Sequence, residues 1–202
     1  MSEAIHRHCV EVAAGLSPAL AEAIAAGGPL TLIADDSQPL AERLCRSVAG
    51  QQLSVKVARS IWQRVLVAAD ATPLSEYFCE ANTERLRQCG LSAAKTRAIC
   101  AIASEARAGG LEADALRALD PAARAAHLTA LWGVGQWTAD MISIFYFGEP
   151  DIWPDGDVAA RKSLVRLTSA RRKTPRTAAR FAPYRSYLAL YLWRYVDTPA
   201  PV

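Results

Sequence analysis

Apolar residues in this chain recur at helical spacing, and almost nowhere at the alternating spacing of a strand. Val12, Leu16, Leu20 and Ile24 fall four apart, and Gly27-Gly28 stops the run. Leu40, Leu44 and Val48 repeat the pattern until Gly50 interrupts it. Start and stop residues punctuate the remainder. Ser54 and Ser92 precede apolar-periodic runs as N-caps, and Gly90 closes a short segment from Thr83 to Cys89. The run opened by Ser92 continues through Ile99 and Ile102 to Gly109-Gly110. Asp120-Pro121 joins an N-cap to a proline at the first helical position, opening a helix that ends near Gly133. Further helices are predicted over about 136–147, from about Val158, and over Tyr184–Tyr195. Nine or ten helices with short connections make an all-α fold.

At 202 residues the chain is long enough to bury a core without staples. It reads as one domain over 1–202, with two helical lobes flanking a cleft. Approximate lobe limits are 1–40 plus 150–202, and 41–149. The five cysteines are irregularly spaced and form no C-x-x-C pair, so neither a zinc site nor a redox motif is expected. His6 and His8 near the start read as surface residues rather than metal ligands. The first residues lack the apolar run of a signal peptide, and no stretch is apolar enough to span a bilayer. The expected setting is the cytoplasm, near the nucleoid, in a bacterium, or the nucleus in a eukaryote, with no membrane partner and a monomeric chain.

The net charge of +3 excludes a polybasic coating protein, but its distribution is uneven. Between residues 161 and 186 lie nine basic residues (Arg161, Lys162, Arg166, Arg171, Arg172, Lys173, Arg176, Arg180 and Arg185) and no acidic one. A solvated helix face explains such a block. A surface facing a polyanion explains it equally.

Gly133-Val134-Gly135 separates the helix that ends near Gly133 from the one beginning at about Gln136. Two glycines one residue apart permit a tight turn and let the backbone approach another surface. The amides opening the second helix favour an anion such as a phosphate. A helix–helix turn with no ligand is the alternative.

The wider pattern resembles the helix-hairpin-helix DNA glycosylase superfamily. Leu131-x-Gly133-Val134-Gly135-x-x-Thr138-Ala139 matches its hairpin, and Pro154-Asp155-Gly156-Asp157 matches the P-x-x-D loop about twenty residues on. Three further stretches are similar to the AlkA-type alkylpurine branch: Gly50-Gln51-Gln52-Leu53-Ser54, Cys89-Gly90-Leu91-Ser92 leading to Lys95, and Phe181-Ala182-Pro183-Tyr184-Arg185-Ser186-Tyr187 leading to Trp193. Every cysteine lies at or before Cys100, whereas the family's iron–sulfur members need four near the C-terminus, so no such cluster is expected. Bifunctional members carry a lysine just before the hairpin's Thr-Ala, where this chain has Trp137. The resemblance therefore implies a monofunctional DNA glycosylase for base excision repair, in a compact form without the AlkA type's sheet lobe. The expected partner is double-stranded DNA containing alkylated bases.

It also implies roles for particular residues. Asp157 would stabilise an oxocarbenium-like sugar or orient a water, while its position before Val158 also suits an N-cap. Asp155 is the competing carboxylate. Trp137 and Trp193 would stack on a flipped cationic base, with Met141 (where the AlkA type often has tyrosine) and Tyr146 nearby. Gln51, Gln52 and Leu53 lie at the loop supplying the wedge, and which of them fills the gap stays open. Gly133, Gly135, Gln136, Thr138, Arg161 and Lys162 would meet the DNA backbone. The carbonyls of Thr129, Leu131 and Val134 could hold a sodium or potassium ion, and no other cofactor is implied. The competing readings are a glycosylase for a deaminated or oxidised base, and a helix-hairpin-helix module that binds DNA without chemistry.

Overall fold

The computed structural model describes residues 2–197, apart from the side chains of Val55 and Asp197. Thirteen α-helices and two short 3-10 turns, with no strand, make up the described residues. The chain divides into two compact units: Met1–Ala34 with Ser143–Val202, and Asp35–Ile142.

The second unit holds α3 (Leu40–Gly50), α4 (Val55–Ala69), α5 (Leu74–Tyr77), α6 (Thr83–Gln88), α7 (Ala93–Arg107), α8 (Ala113–Arg117) and α9 (Pro121–Thr129). It also holds most of α10 (Gln136–Phe145), within which the boundary falls. Its α3 lies against α7, burying Leu44, Cys45 and Val48 together with Ala98, Ile99 and Ile102 on the facing helix. Burial pushes the Cys45 thiol well above its ordinary range, so this cysteine behaves as a small apolar residue. The sequence caps are formed as expected. Ser54 Oγ accepts from Val57 N at 3.4 Å, Ser92 Oγ accepts from Lys95 N at 3.3 Å, and Asp120 Oδ1 accepts from Ala122 N and Ala123 N at 3.0 Å each.

The first unit holds α1 (Ser2–Ala14), α2 (Pro18–Gly27), α11 (Val158–Leu167), α12 (Thr174–Ala178) and α13 (Arg185–Asp197). Periodicity predicts one helix across residues 9–26. Two form instead, and the first begins at Ser2. Pro18 cannot donate to the preceding turn and holds Ser17 extended, at φ −163° and ψ 131°. Ser17 Oγ then donates to Leu167 O at 2.6 Å, tying the break to the end of α11. Leu20, Ile24, Leu164, Phe181, Leu188 and Leu192 fill the core of this unit.

The segment 149–152, which leads to the Pro154–Asp157 loop, is fixed by the start of α13. Ser186 Oγ donates to Glu149 O at 2.7 Å and accepts from Ile152 N at 2.9 Å, while Ser186 N donates to Pro150 O at 3.0 Å. Arg185 grips Asp151 with Nε to Oδ1 at 2.7 Å and Nη2 to Oδ2 at 3.0 Å. Burial would raise the Asp151 carboxyl, but the Arg185 hydrogen bonds and charge prevail and hold it below the usual carboxylate range.

A carboxylate depressed in the folded state contributes stability that is complete above its unfolded pKa of about 3.9 and is lost as pH falls through the lower folded value. Asp151→Asn should therefore melt below the wild-type chain at pH 7, with the gap closing as pH drops below about 4. Thermal melts at pH 7 and pH 3 check this; a gap of unchanged size would contradict it.

Candidate active site and nucleic-acid interface

The hairpin between α9 and α10 turns on two glycines with different duties. Gly133 has φ +88°, and a Cβ there would stand 2.5 Å from Ala98 Cβ. It is required both by conformation and by the close approach of α7. Gly135 is exposed, and a Cβ there would meet nothing within 4 Å. No internal contact requires a glycine there. Val134 N donates to Leu131 O at 3.1 Å, and Gly135 O accepts from Ala139 N at 3.1 Å, so the turn passes directly into α10. The first-turn amides of α10 have no acceptor within the helix.

The loop after α3 braces this hairpin. Gln51 Nε2 donates to Gly133 O and to Thr138 Oγ1, both at 3.2 Å. Lys95 Nζ donates to Ala49 O at 2.9 Å and Gln51 O at 2.7 Å, satisfying carbonyls at the end of α3. Burial holds the Lys95 ammonium below its ordinary range. Two expectations change here. The Gln51 amide is committed to the hairpin rather than to an outside partner. Thr138 is buried, with its hydroxyl turned to Gln51. Gln52 is exposed with φ +58°, a conformation rare outside glycine, and beside it Leu53 is 39% exposed. Gln136 is exposed and donates to Asp140 Oδ1 at 2.8 Å. Trp137 is 38% exposed and Met141 is half-buried. Sequence reasoning passed over Trp132, which is exposed at the hairpin with Arg97 4.5 Å above its ring. Its only signal was a tryptophan beside a glycine turn.

Neutral carbonyls are the chemistry a monovalent cation takes, and the turn supplies three of them. One lone pair of Leu131 O is used by Val134 N, which leaves the other for an ion. Thr129 donates its hydroxyl proton back to Ala125 O at 2.8 Å, and its carbonyl is the group that joins those of Leu131 and Val134 as a neutral oxygen donor. The donor set therefore fits a sodium or potassium ion.

The acidic loop lies in the other unit. Asp157 N donates to Pro154 O at 2.8 Å, closing a turn that sets the carboxylate at the head of α11. Asp157 Oδ1 accepts from Ala160 N at 2.8 Å, as an N-cap, and from Trp193 Nε1 at 3.0 Å. The Trp193 ring stacks on Phe145, with centroids 5.7 Å apart at 29°. Trp193 therefore orients the carboxylate as well as offering an aromatic face, a role its helical position alone did not reveal. Asp155, the competing acid, is exposed and accepts from Trp153 Nε1 at 3.1 Å and Thr174 Oγ1 at 3.2 Å. It ties the loop to α12. Tyr146 does not match its expected place in a pocket. It is 2% exposed and packs edge-on against Phe147, because the end of α10 turns that ring into the core. Arg161 and Lys162 stand exposed on α11, just beyond Asp157.

Residues 45–183 match the HhH-GPD superfamily base excision DNA repair protein family. The chain belongs to that family. The HhH-GPD chain is 33% identical to DNA-3-methyladenine glycosylase 1 of Schizosaccharomyces pombe, over 76% of its own length and 71% of the relative's. The fission-yeast 3-methyladenine DNA glycosylase solved in complex with abasic DNA superposes with a TM-score of 0.82 at 25% identity, covering 98% of this chain and 99% of that one. A DNA-3-methyladenine glycosidase from Bacillus halodurans gives 0.78 at 28% identity, over 93% and 88%.

The two hairpin glycines should separate cleanly in this HhH-GPD chain. Gly133→Ala forces a left-handed alanine into Ala98 and should lose about 3 kcal/mol of stability. Gly135→Ala should melt like wild type yet bind duplex DNA at least tenfold more weakly. Equal melting temperatures for both variants, or undiminished DNA affinity in the second, would contradict this assignment.

Proposed function

We propose that this chain is a monofunctional DNA glycosylase. It hydrolyses the N-glycosidic bond of cationic N3- or N7-alkylated purines in duplex DNA, for base excision repair. The observation that carries the reading is the Asp157 carboxylate, fixed at the head of α11 by Ala160 N and by the indole N–H of Trp193. The named relatives and the neighbour bound to abasic DNA support the substrate class.

A base that already carries positive charge leaves without a general acid, so the barrier falls chiefly by stabilising the sugar cation. A carboxylate about 4 Å from that cation contributes roughly 4 kcal/mol at an effective dielectric of 20. That corresponds to about a thousandfold in rate. The Trp193 N–H keeps Oδ1 in place, and no reorientation is needed as charge develops. The stacked Phe145–Trp193 pair supplies electron-rich faces, which favour a cationic base over a neutral one. No Schiff-base amine stands at the hairpin position. Trp137 occupies it, offering an exposed indole face, and the Lys95 amine is engaged by two carbonyls.

The hairpin grips the backbone through its open Gly135 turn. Thr129, Leu131 and Val134 would hold a monovalent cation there, adding positive charge towards a phosphate. The chain works as a monomer and needs no other cofactor. With the Gln51 amide committed to the hairpin, Leu53 is the exposed apolar side chain at the loop that can fill the space of a base displaced from the stack.

Asp157→Asn should lower release of 7-methylguanine from alkylated duplex by about a thousandfold, with duplex affinity within a few-fold of wild type. Trp193→Phe keeps a ring and loses the hydrogen bond. Its single-turnover rate should drop about tenfold to a hundredfold, without a matching change in DNA affinity. Wild-type rates in Asp157→Asn, or no base release by the wild-type chain, would overturn the proposal.

A further inference from the structure

The cationic block of the sequence folds into a concave site of its own. Arg171, Arg172, Lys173, Arg176 and Arg180 line an open cavity of about 330 Å³, with Leu16 from the α1–α2 turn at its edge. Arg180 reaches over that turn, its Nη2 about 4.0 Å from where a Cβ on Gly15 would stand. All five cations are exposed. Among the described residues, none of these five side chains makes a hydrogen bond, ion pair or ring contact.

Four guanidinium groups and an ammonium held around one cavity repel one another, and the segment 158–196 that carries them contains no acidic residue; Asp155 approaches it only through Thr174 and forms no ion pair with the five cations. The only other polar lining group, Thr177, spends its hydroxyl on Lys173 O at 3.2 Å. Arginine forks match the oxygens of phosphate in paired hydrogen bonds. One phosphodiester brings one negative charge, so five cations suit several phosphates close together. The cavity is also anchored. Thr174, between Lys173 and Arg176, donates to Asp155 Oδ1, two residues before Asp157.

We propose that this cavity is a phosphate-binding site, separate from the hairpin, that takes two or more phosphates in series. Two sources present that chemistry: the backbone of a nucleic-acid strand, and a free oligophosphate. The first rests on the function proposed above, and the second does not.

The test uses the full chain carrying Arg172→Gln/Arg176→Gln/Arg180→Gln, and a second variant carrying Arg171→Gln/Lys173→Gln. All five side chains are exposed, so both variants should melt like wild type. One arm titrates inorganic triphosphate by calorimetry, and binding should weaken at least tenfold in the triple variant. The other arm measures undamaged-duplex affinity against salt. Its logarithmic slope should become shallower by about two, since each phosphate contact contributes about 0.9. A shallower slope, with or without lost triphosphate binding, assigns strand phosphates. Lost triphosphate binding with an unchanged slope assigns a free oligophosphate. Wild-type behaviour of both variants in both arms overturns the site. Base release by the wild-type chain tests the enzymatic reading separately, so either idea can fail alone.

Discussion

A single carboxylate oxygen, Asp157 Oδ1, joins the chemistry proposed for this chain to its scaffold. The donors that hold it come from different helices: Ala160 N at the head of α11 and Trp193 Nε1 on α13. The oxygen is correctly placed only if both helices and the loop before α11 are in register. That register is set by the start of α13, where Ser186 engages the backbone of residues 149–152 and Arg185 clamps Asp151. The Tyr184-Arg185-Ser186-Tyr187 stretch thus fixes the approach to the acid loop, while Trp193, two turns on, holds the acid itself. The N-cap role and the proposed catalytic role of Asp157 are one arrangement seen from two sides. A cap must be rigid, and so must a carboxylate that lowers a barrier by being already in place.

The hairpin in the other unit follows the same economy. Its turn is held from behind by the loop after α3, through the Gln51 amide, and that loop is held in turn by the Lys95 ammonium. Desolvating an ammonium costs stability, which is the origin of its depressed titration. The cost is offset by satisfying two carbonyls at the end of α3, groups that would otherwise lack partners. The Gly50–Ser54 and Gly90–Lys95 stretches therefore work as braces, and the braced turn leaves Gly135 facing outward.

Elements longer than about two turns were legible in the sequence because their caps and periodicity agree. Ser54, Ser92 and Asp120 cap where their chemistry says they should. What failed was of two kinds. The break at Ser17-Pro18 was hidden by apolar residues that keep their spacing across it, since the helices on either side bury against one core. Helices of four or five residues, such as α5, α8 and α12, are too short to show a period at all. The site divided in the same way. The tight turn at Gly133 and the N-cap at Asp157 were legible because glycine conformation and N-cap chemistry narrow what a position can do, whereas the catalytic role proposed for Asp157 came from the resemblance and not from its own chemistry. The hydrogen bond of Trp193, the burial of Tyr146 and the engagement of Gln51 depend on which way a ring or an amide turns, and packing decides that, not spacing.

The net charge of +3 conceals a division of labour. The 26 residues from 161 to 186 hold nine of the 23 basic residues, while all 20 acidic residues lie elsewhere. The rest of the chain is therefore net negative and would by itself be repelled by a phosphate backbone. Long-range attraction must come from the block that begins on α11, a few residues after the acid loop, and continues through the cavity around α12. Field strength falls off within about a Debye length, roughly 8–10 Å in physiological salt, so position counts for more than the total. If the proposed phosphate site and the proposed role of Asp157 both hold, cations anchored to the loop that carries Asp157 would draw a polyanion towards the chemistry rather than to the surface at large.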